Sequence, residues 1–190
     1  MNKKIIKKSI TEAKKIMRQI DDPAHDYEHA RSVFLDALKI LKRSELKVDM
    51  NIIALSAWWH DVGRLYKNVG HEKISAKMAY DNLVELSFDK KNCLLVYNAI
   101  VNHKWSMKPK TIEGKIIYDA DKLNFISIQR WKKCLKNKEY KNLKEMYFLI
   151  PRLETEFLFL KSSKEIYKKR IKKFIFFINK MPIKYKIKLN

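Results

Sequence analysis

Apolar residues recur at three- and four-residue steps along most of this 190-residue chain, and this spacing limits the fold more than any other feature. The step matches the 3.6-residue turn of an α-helix, so each such segment has one apolar face to bury. Only three glycines and four prolines interrupt the chain. A turn-rich β-sandwich or barrel, or a glycine-rich phosphate loop, would need more of them. The sequence therefore predicts an all-α fold.

The helical segments follow one another without a linker or an internal repeat, which predicts a compact single-domain bundle of about seven to eight helices. We expect residues 1–129 to form the core and the basic helices of residues 130–190 to pack on it. Pro109 and Gly114 predict a loop, and we prefer a helix to a strand at residues 116–118. One further helix is expected to start at Asp21–Pro23 and to run to residue 41. The others are expected at residues 5–20, 52–62, 71–83, 93–103, 140–160 and 163–181, before a short lysine-rich tail.

The net charge is +21, from 42 Lys and Arg against 21 Asp and Glu. Residues 130–190 carry +14 of it, with nineteen basic and five acidic residues. Two interpretations stay open: a solvated basic face, and a field that attracts phosphorylated small molecules. Nucleic acid is a partner that we do not favour, because the lysines spread through amphipathic helices and form no known recognition motif.

The cysteines and the first residues bear on the compartment. Cys93 and Cys134 stand alone, so they form neither a thiolate metal motif nor a disulfide framework. Lysines interrupt the N-terminus too often for a signal peptide, and no stretch approaches ~20 apolar residues. We expect a cytoplasmic protein with no membrane partner. An apolar stripe near the C-terminus is expected to pack on the domain or in a homodimer rather than on a membrane surface; its members are Ile171, Phe174, Ile175 and Ile178.

Histidines, aspartates or both cluster at three places in the first 130 residues: residues 25–29, 60–61 and 119–121. The five histidines are His25, His29, His60, His71 and His103. Adjacent residues on a helix are ~100° apart, so one ion beside the helix can contact both His60 and Asp61. A metal ion compensates such a buried pair directly, although a structural hydrogen bond between the two is the alternative. Asp119 and Asp121 form a carboxylate pair after a later apolar run.

The order His29, His60–Asp61 and Asp121 resembles the H…HD…D signature of the HD-domain superfamily of metal-dependent phosphohydrolases, which are all-α. The resemblance covers about residues 20–130. It implies that His29, His60, Asp61 and Asp121 hold a divalent ion, with the second aspartate as ligand in preference to Asp119. The similar segments are His25–Val33, His60–Arg64, His71–Ala76 and Asp119–Leu123.

Two imidazoles and two carboxylates form a mixed nitrogen and oxygen set that suits Mn, Fe, Co, Ni, Zn or Mg. The resemblance leaves open whether a second ion binds. It implies a phosphohydrolase that cleaves a phosphoester or phosphoanhydride of a small molecule, with a nucleotide favoured. The alternative is a catalytically idle HD fold that binds nucleic acid or regulates through its basic C-terminal third. The presence of all four ligand residues favours the enzyme.

Four further residues are expected to contact the substrate: Arg64, His71, His103 and Lys122. Arg64 stands where some HD nucleotidases have a glutamate, and a guanidinium clamps a phosphate but is no general base. The expected catalytic residues are therefore Asp61 and Arg64. Two alternatives stay open for His71 and His103, which are ligation of a second metal and a purely structural role. The alternative for Lys122 is that it is one more exposed lysine.

Two other side chains have open roles. His25 is either a wall of the site or an ordinary residue at the start of a helix. Trp105 is a candidate for stacking on a nucleobase, whereas core positions are expected for Trp58, Trp59 and Trp131.

Overall fold

The computed structural model describes residues 3–138 and 146–181, and within them it contains helices and no strand. The predicted all-α fold is therefore confirmed. Shorter helical pieces are the 3₁₀ segments Val62–Leu65, Asn124–Ile126 and Ile150–Arg152, and a π segment at Leu153–Phe157. The α-helices are α1 Lys3–Met17, α2 Tyr27–Lys42, α3 Met50–Trp59, α4 His71–Glu85, α5 Lys90–Val101, α6 Ile112–Leu123, α7 Ile128–Lys136 and α8 Lys161–Asn179.

Helix α2 begins later than the prediction that placed its start at Asp21–Pro23. Asp22 instead closes a turn, because its Oδ1 accepts a hydrogen bond from the Ala24 amide at 2.8 Å. Asp26 is the residue that caps the helix, with Oδ1 accepting from the amides of Glu28 and His29. Such a cap satisfies amides that have no partner within the helix. The shift places His29 in the first turn of α2.

Helix α3 is the central helix of the bundle, as its apolar sequence predicts. Ile52 and Leu55 pack on the side of α1, α4 and α5, while Ile53 and Ala57 pack on the side of α2 and α6. The indole of Trp59 donates a hydrogen bond to Ser9 Oγ of α1 at 3.0 Å. Trp58, Trp59 and Trp131 are all buried, as predicted.

Helix α3 ends at Trp59, with His60 as its C-cap, so the prediction that α3 runs to Val62 is wrong. Gly63 lies against α4, where a Cβ atom on it would come within 2.5 Å of the His71 carbonyl oxygen. Its amide donates to Ser75 Oγ of α4 at 2.9 Å. This close approach requires glycine, and it brings the end of α3 beside the start of α4.

The segment before α6 also differs from expectation. Gly114 lies in the first turn of α6, where its amide donates to the N-cap Thr111 Oγ1 at 3.1 Å. The expected loop therefore ends at Thr111. The preference for a helix at residues 116–118 is confirmed.

The predicted helix over residues 140–160 falls partly on 139–145, outside the described residues, and the remainder is not one regular α-helix. Residues 146–149 are helical, and the 3₁₀ and π segments follow. Pro151 lacks the amide that an α-helix would use and clashes with the preceding turn, which accounts for the change of helix type. The lysine-rich tail, residues 182–190, also lies outside the described residues.

Helix α8 packs on the rest of the bundle. Phe174 is fully buried and meets the Trp131 ring edge to face, with centroids 5.2 Å apart. Both terminal nitrogens of Arg170 donate to the Asp36 carboxylate of α2 at 2.6 Å. Three members of the apolar stripe, Ile171, Phe174 and Ile178, therefore pack in or against the core of the domain. Among the described helices, none has both the length and the apolar run that a bilayer crossing requires.

Candidate metal centre

Four side chains from three separate elements converge in the buried centre of the bundle. His29 of α2 places Nε2 3.2 Å from His60 Nε2 and 3.2 Å from Asp121 Oδ1 of α6. The Asp61 Oδ2 atom lies 3.5 Å from His29 Nε2 and 3.4 Å from His60 Nε2. The structure thus brings together the four residues that the sequence predicts as metal ligands.

The other oxygen of Asp61 faces a second pair of histidines. Oδ1 lies 3.0 Å from His71 Nε2, at the start of α4, and 3.5 Å from His103 Nε2, after the end of α5. These two Nε2 atoms are 3.3 Å apart. Asp61 therefore lies between two histidine pairs, with one carboxylate oxygen directed to each.

Backbone carbonyls orient three of these rings. The Nδ1 atom of each donates to the carbonyl three residues earlier, which leaves Nε2 as the inward-facing atom with its lone pair. The bonds are His60 to Ala57 at 2.8 Å, His71 to Asn68 at 2.7 Å and His103 to Ile100 at 2.6 Å.

This donor set fits a divalent metal. The Nε2 lone pairs of His71 and His103 and the Asp61 carboxylate repel one another at 3.0–3.5 Å unless a cation lies among them. A proton on His60 compensates only one side of Asp61. Among the described residues, two sets of three buried side chains have ligand atoms that all lie within 4.8 Å of one another inside the set. One set is His29, His60 and Asp121, and the other is His60, Asp61 and His103.

The electrostatics of the site hold most of the ligands in the forms that bind metal. His60 is the exception, because burial disfavours its charged form but Asp61 outweighs burial and raises the pKa of this ring. Burial lowers the pKa of His29 to about 3 and that of His103 to about 4, so both rings are neutral at pH 7. Burial opposes the charge on Asp61 and Asp121, but nearby cations, Arg64 for Asp61 and Lys122 for Asp121, hold the pKa of each carboxyl well below its usual range. Neutral imidazoles and ionised carboxylates are the forms that bind metal.

Two cations flank the cluster. Lys122 Nζ lies 2.6 Å from Asp121 Oδ2 and donates to the His103 carbonyl at 2.9 Å. Lys122 is buried, so the alternative of an exposed lysine is wrong. Arg64 Nε lies 2.9 Å from Asp61 Oδ1, and 15% of its side chain reaches solvent. Contact of either side chain with substrate stays a prediction.

The two aspartates of α6 have different surroundings. Asp119 faces away from the cluster and accepts hydrogen bonds from the amides of Phe159 and Leu160 at 3.0 and 2.9 Å. Burial raises its pKa to about 6. Asp119 therefore connects the chain before α8 to α6, while Asp121 joins the cluster.

The remaining candidates lie at the edge of the site or outside it. The His25 ring packs edge-on against His29, with centroids 5.5 Å apart, and its Nδ1 lies 2.7 Å from Asp22 Oδ2. It thus forms part of the wall. Trp105 is half exposed and meets the Phe157 ring edge-on with centroids 6.3 Å apart.

Sequence reasoning missed Arg130 of α7. This side chain is only 6% exposed, and its Nε and Nη1 have no hydrogen-bond partner among the described residues. It lines a recess together with His29. Arg130 stands in a lysine-rich segment, and nothing in the local sequence indicates that this cation is buried while the neighbouring lysines are not.

No curated protein matches the chain significantly. Three solved structures share the fold. A predicted HD superfamily hydrolase from an uncultured Thermotogales bacterium is 22% identical, with 91% of this chain and 88% of that chain covered and a TM-score of 0.72. Bacillus subtilis YpgQ, solved in complex with ADP, is 20% identical, with 93% and 92% covered and a TM-score of 0.71.

The third structure, the Lin1889 protein from Listeria innocua, is 20% identical, with 94% of each chain covered and a TM-score of 0.67. The family model of the HD domain matches residues 26–126, which is more than half of the chain. That range contains both histidine pairs and both aspartates of the buried cluster. The chain therefore belongs to the HD domain family.

Proposed function

We propose that this protein is a divalent-metal-dependent phosphohydrolase that cleaves a phosphoester or phosphoanhydride, with a nucleotide as the favoured substrate. The observation that carries the proposal is the buried Asp61 carboxylate, which has two inward-facing imidazole nitrogens at each side, 3.0–3.5 Å away. Such a cluster is costly without a cation. Membership of the HD domain family supports the same activity.

The residues that would hold the ion are His29, His60, Asp61 and Asp121. When bound, a divalent ion stabilises charge on a phosphoryl oxygen and lowers the pKa of a water ligand. Manganese, iron, cobalt, nickel, zinc and magnesium are the candidates, since the donors mix nitrogen and oxygen.

The position of His71 and His103 favours a role as metal ligands: these two residues and Asp61 would hold a second ion. Both place Nε2 on Asp61 Oδ1, within the same range of distances as His29 and His60 on Oδ2. This arrangement supports ligation by these histidines over the substrate contact expected from the sequence. Helix α4 begins at His71, so the positive end of its dipole lies beside Asp61 and favours anions there.

Arg64 and Lys122 add positive charge on the outside of the ligand carboxylates. Arg64 reaches from Asp61 toward solvent, which suits it to bind a phosphate oxygen and to stabilise charge that develops on the phosphoryl group. Lys122 is held by Asp121 and the His103 carbonyl, so it fixes the Asp121 carboxylate and balances its charge. A guanidinium is not a general base, so Arg64 would act through its charge and its hydrogen bonds.

Two observations support a nucleotide as the substrate. The structurally similar YpgQ was solved in complex with ADP. The +14 charge of residues 130–190 attracts anionic small molecules toward the domain.

The experiment that tests the proposal is metal analysis of the purified full chain, followed by a hydrolysis screen with added Mn²⁺, Co²⁺, Ni²⁺ or Mg²⁺. The substrates are nucleoside mono-, di- and triphosphates and a simple aryl phosphate. We expect hydrolysis that a chelator abolishes and that one of these ions restores. A chain that carries metal but cleaves none of these substrates would contradict the proposal.

The two aspartates of α6 offer a matched pair of variants. Asp121→Asn should abolish metal binding and hydrolysis, because it removes a ligand charge from the cluster. Asp119→Asn makes the same change two residues away and should keep the metal, since Asp119 bonds the amides of Phe159 and Leu160 instead. Equal metal loss in both folded variants would show that the cluster is not the metal site.

A further inference from the structure

A recess of about 280 Å³ opens beside His29, between the start of α2 and the segment that leads into α7. Neutral hydrogen-bonding side chains form much of its wall, among them Ser32, Asn124 and Ser127. Its lining contains no Phe, Tyr or Trp, and Pro23 is its single apolar residue. A nucleobase needs apolar or aromatic walls, so this recess suits a strongly polar group.

The cation inside this recess is Arg130. Its side chain is more than nine-tenths buried, yet Nε and Nη1 find no hydrogen-bond partner among the described residues. Arg130 lies in the first turn of α7, where Ser127 Oγ caps the helix and accepts its backbone amide at 3.3 Å. Although the guanidinium lies 5.9 Å from the centroid of the Phe125 ring, buried N–H groups without an acceptor are unfavourable unless an anion pairs with them. The recess is the route by which such an anion reaches it.

The other charged lining residues are already paired. Asp26 forms an ion pair with Lys133, and Glu28 lies 3.6 Å from Arg31. Neither acid is therefore a partner for Arg130, and neither leaves a free negative charge that would exclude an anion.

The metal cluster does not satisfy Arg130 either. Burial disfavours the Arg130 cation and lowers its pKa, and the fields of Asp121 and Asp61 oppose that effect. These two carboxylates are the ones proposed to hold metal. Once an ion neutralises them, their field no longer balances Arg130, so the loaded protein has a stronger demand for an anion at this position.

We propose that Arg130 is a substrate-binding residue that holds a phosphate group in the recess beside His29. A guanidinium donates two parallel hydrogen bonds to phosphate oxygens, and the neutral hydroxyl and amide groups of the wall provide the remaining contacts. The inference rests on the proposed function for the choice of phosphate as the anion. It deepens that function by assigning the recess to the anionic part of the substrate and not to a base.

The test is titration of the full chain with inorganic phosphate by calorimetry, in Mn²⁺-loaded and in metal-free protein. Arg130→Gln should weaken phosphate binding at least about tenfold, because it removes charged hydrogen bonds. Arg43→Gln is the matched control, since it makes the same change at the exposed far end of α2. It should bind phosphate within twofold of the wild type. Binding of Mn²⁺, measured separately by magnetic resonance, should be unchanged in both variants.

A second variant guards against misfolding. Arg130→Met replaces a buried cation with an apolar chain of similar length, a change that proteins often tolerate without loss of stability. It should show the same tenfold loss of phosphate affinity, while Arg130→Lys, which keeps the charge, should recover part of it. Phosphate affinity within twofold of the wild type in either folded variant, or no phosphate binding by the wild type, would overturn the inference.

Failure of the proposed function gives a different result. A wild-type chain that binds no Mn²⁺ would contradict the metal-dependent activity. The metal-free titration would then still decide the role of Arg130, because the ratio between wild type and Arg130→Gln is expected there as well. Unchanged phosphate binding with normal Mn²⁺ binding would contradict the Arg130 assignment alone.

Discussion

Replacement of Asp61 by asparagine is the most informative single change in this protein. It keeps the shape of the side chain and removes the charge that both histidine pairs share, at 3.0–3.5 Å. Replacing even an outer-shell partner of a metal ligand costs 10–100-fold in affinity. Loss of the Asp61 charge should therefore weaken metal binding by more than about 100-fold, or about 3 kcal/mol.

The same change should destabilise the metal-free protein only modestly. With an effective dielectric constant of about 20, the 2.9 Å separation of Arg64 Nε and Asp61 Oδ1 gives an attraction of about 6 kcal/mol. Desolvation of the buried carboxylate offsets several kcal/mol of this. Since Arg64 reaches solvent, its guanidinium can be hydrated once it is unpaired. We expect a loss below the 3–5 kcal/mol typical of a broken, fully buried pair.

The assay combines metal titration with urea unfolding of the metal-free proteins, followed by circular dichroism. Asp36→Asn is the matched control, because Asp36 is also a buried carboxylate paired with an arginine, Arg170, but lies outside the cluster. It should lower the free energy of unfolding by about 1–3 kcal/mol and leave metal affinity within twofold. The reasoning is refuted if Asp61→Asn binds metal with wild-type stoichiometry and an affinity within tenfold of the wild type.

Three further predictions follow from the geometry. Arg64→Ala should keep the metal but slow turnover by about 100-fold, because it removes charge stabilisation and no ligand; loss of metal from the folded variant would contradict this. The metal-free protein should lose stability as the pH falls from 6.5 to about 4. In the folded protein, burial lowers the pKa values of His25, His29 and His103 to about 4, 3 and 4, so these rings stay neutral over most of this range, whereas in the unfolded chain they become protonated. Each histidine contributes up to about 1.4 kcal/mol per pH unit to this loss, whereas Asp119, whose pKa burial raises to about 6, takes up one proton in the folded protein and opposes it. In urea unfolding across this range, the free energy of unfolding of His25→Gln should depend less steeply on pH than that of the wild type. An unchanged pH dependence would contradict the assignment. Gel-shift titration at ~150 mM salt should show no sub-micromolar binding of a structured RNA, because non-specific phosphate contacts alone rarely reach that affinity.

The sequence predicts the class of fold and the members of the cluster because both depend on features that are visible in the sequence itself, the spacing of apolar residues and the order of histidines and aspartates. Helical spacing identifies α3 as the central helix, and the order of histidines and aspartates selects His29, His60, Asp61 and Asp121. In the structure these four converge from α2, the end of α3 and α6. Asp119 and Asp121 both follow the same apolar run, so only the resemblance distinguishes the two.

The boundaries of the helices were harder to predict, because tertiary contacts decide them. Asp22 and Asp26 both have the chemistry of a helix cap, and local sequence does not rank them. The end of α3 depends on Gly63 approaching the His71 carbonyl, a contact between residues of different helices. The burial of Arg130 likewise depends on how α7 packs beside α2, so its sequence neighbours do not reveal it.

Hydrogen bonds to Asp119 and Asp36 connect the family-matched region to the chain that follows it. The HD domain match ends at residue 126, but the amides bonded to Asp119 belong to Phe159 and Leu160, and the guanidinium bonded to Asp36 belongs to Arg170. A chain cut after the matched region would leave both carboxylates without these donors, one of them only two residues from Asp121. The part of the chain that holds the ligand helix in place therefore extends beyond the part that the HD domain model matches.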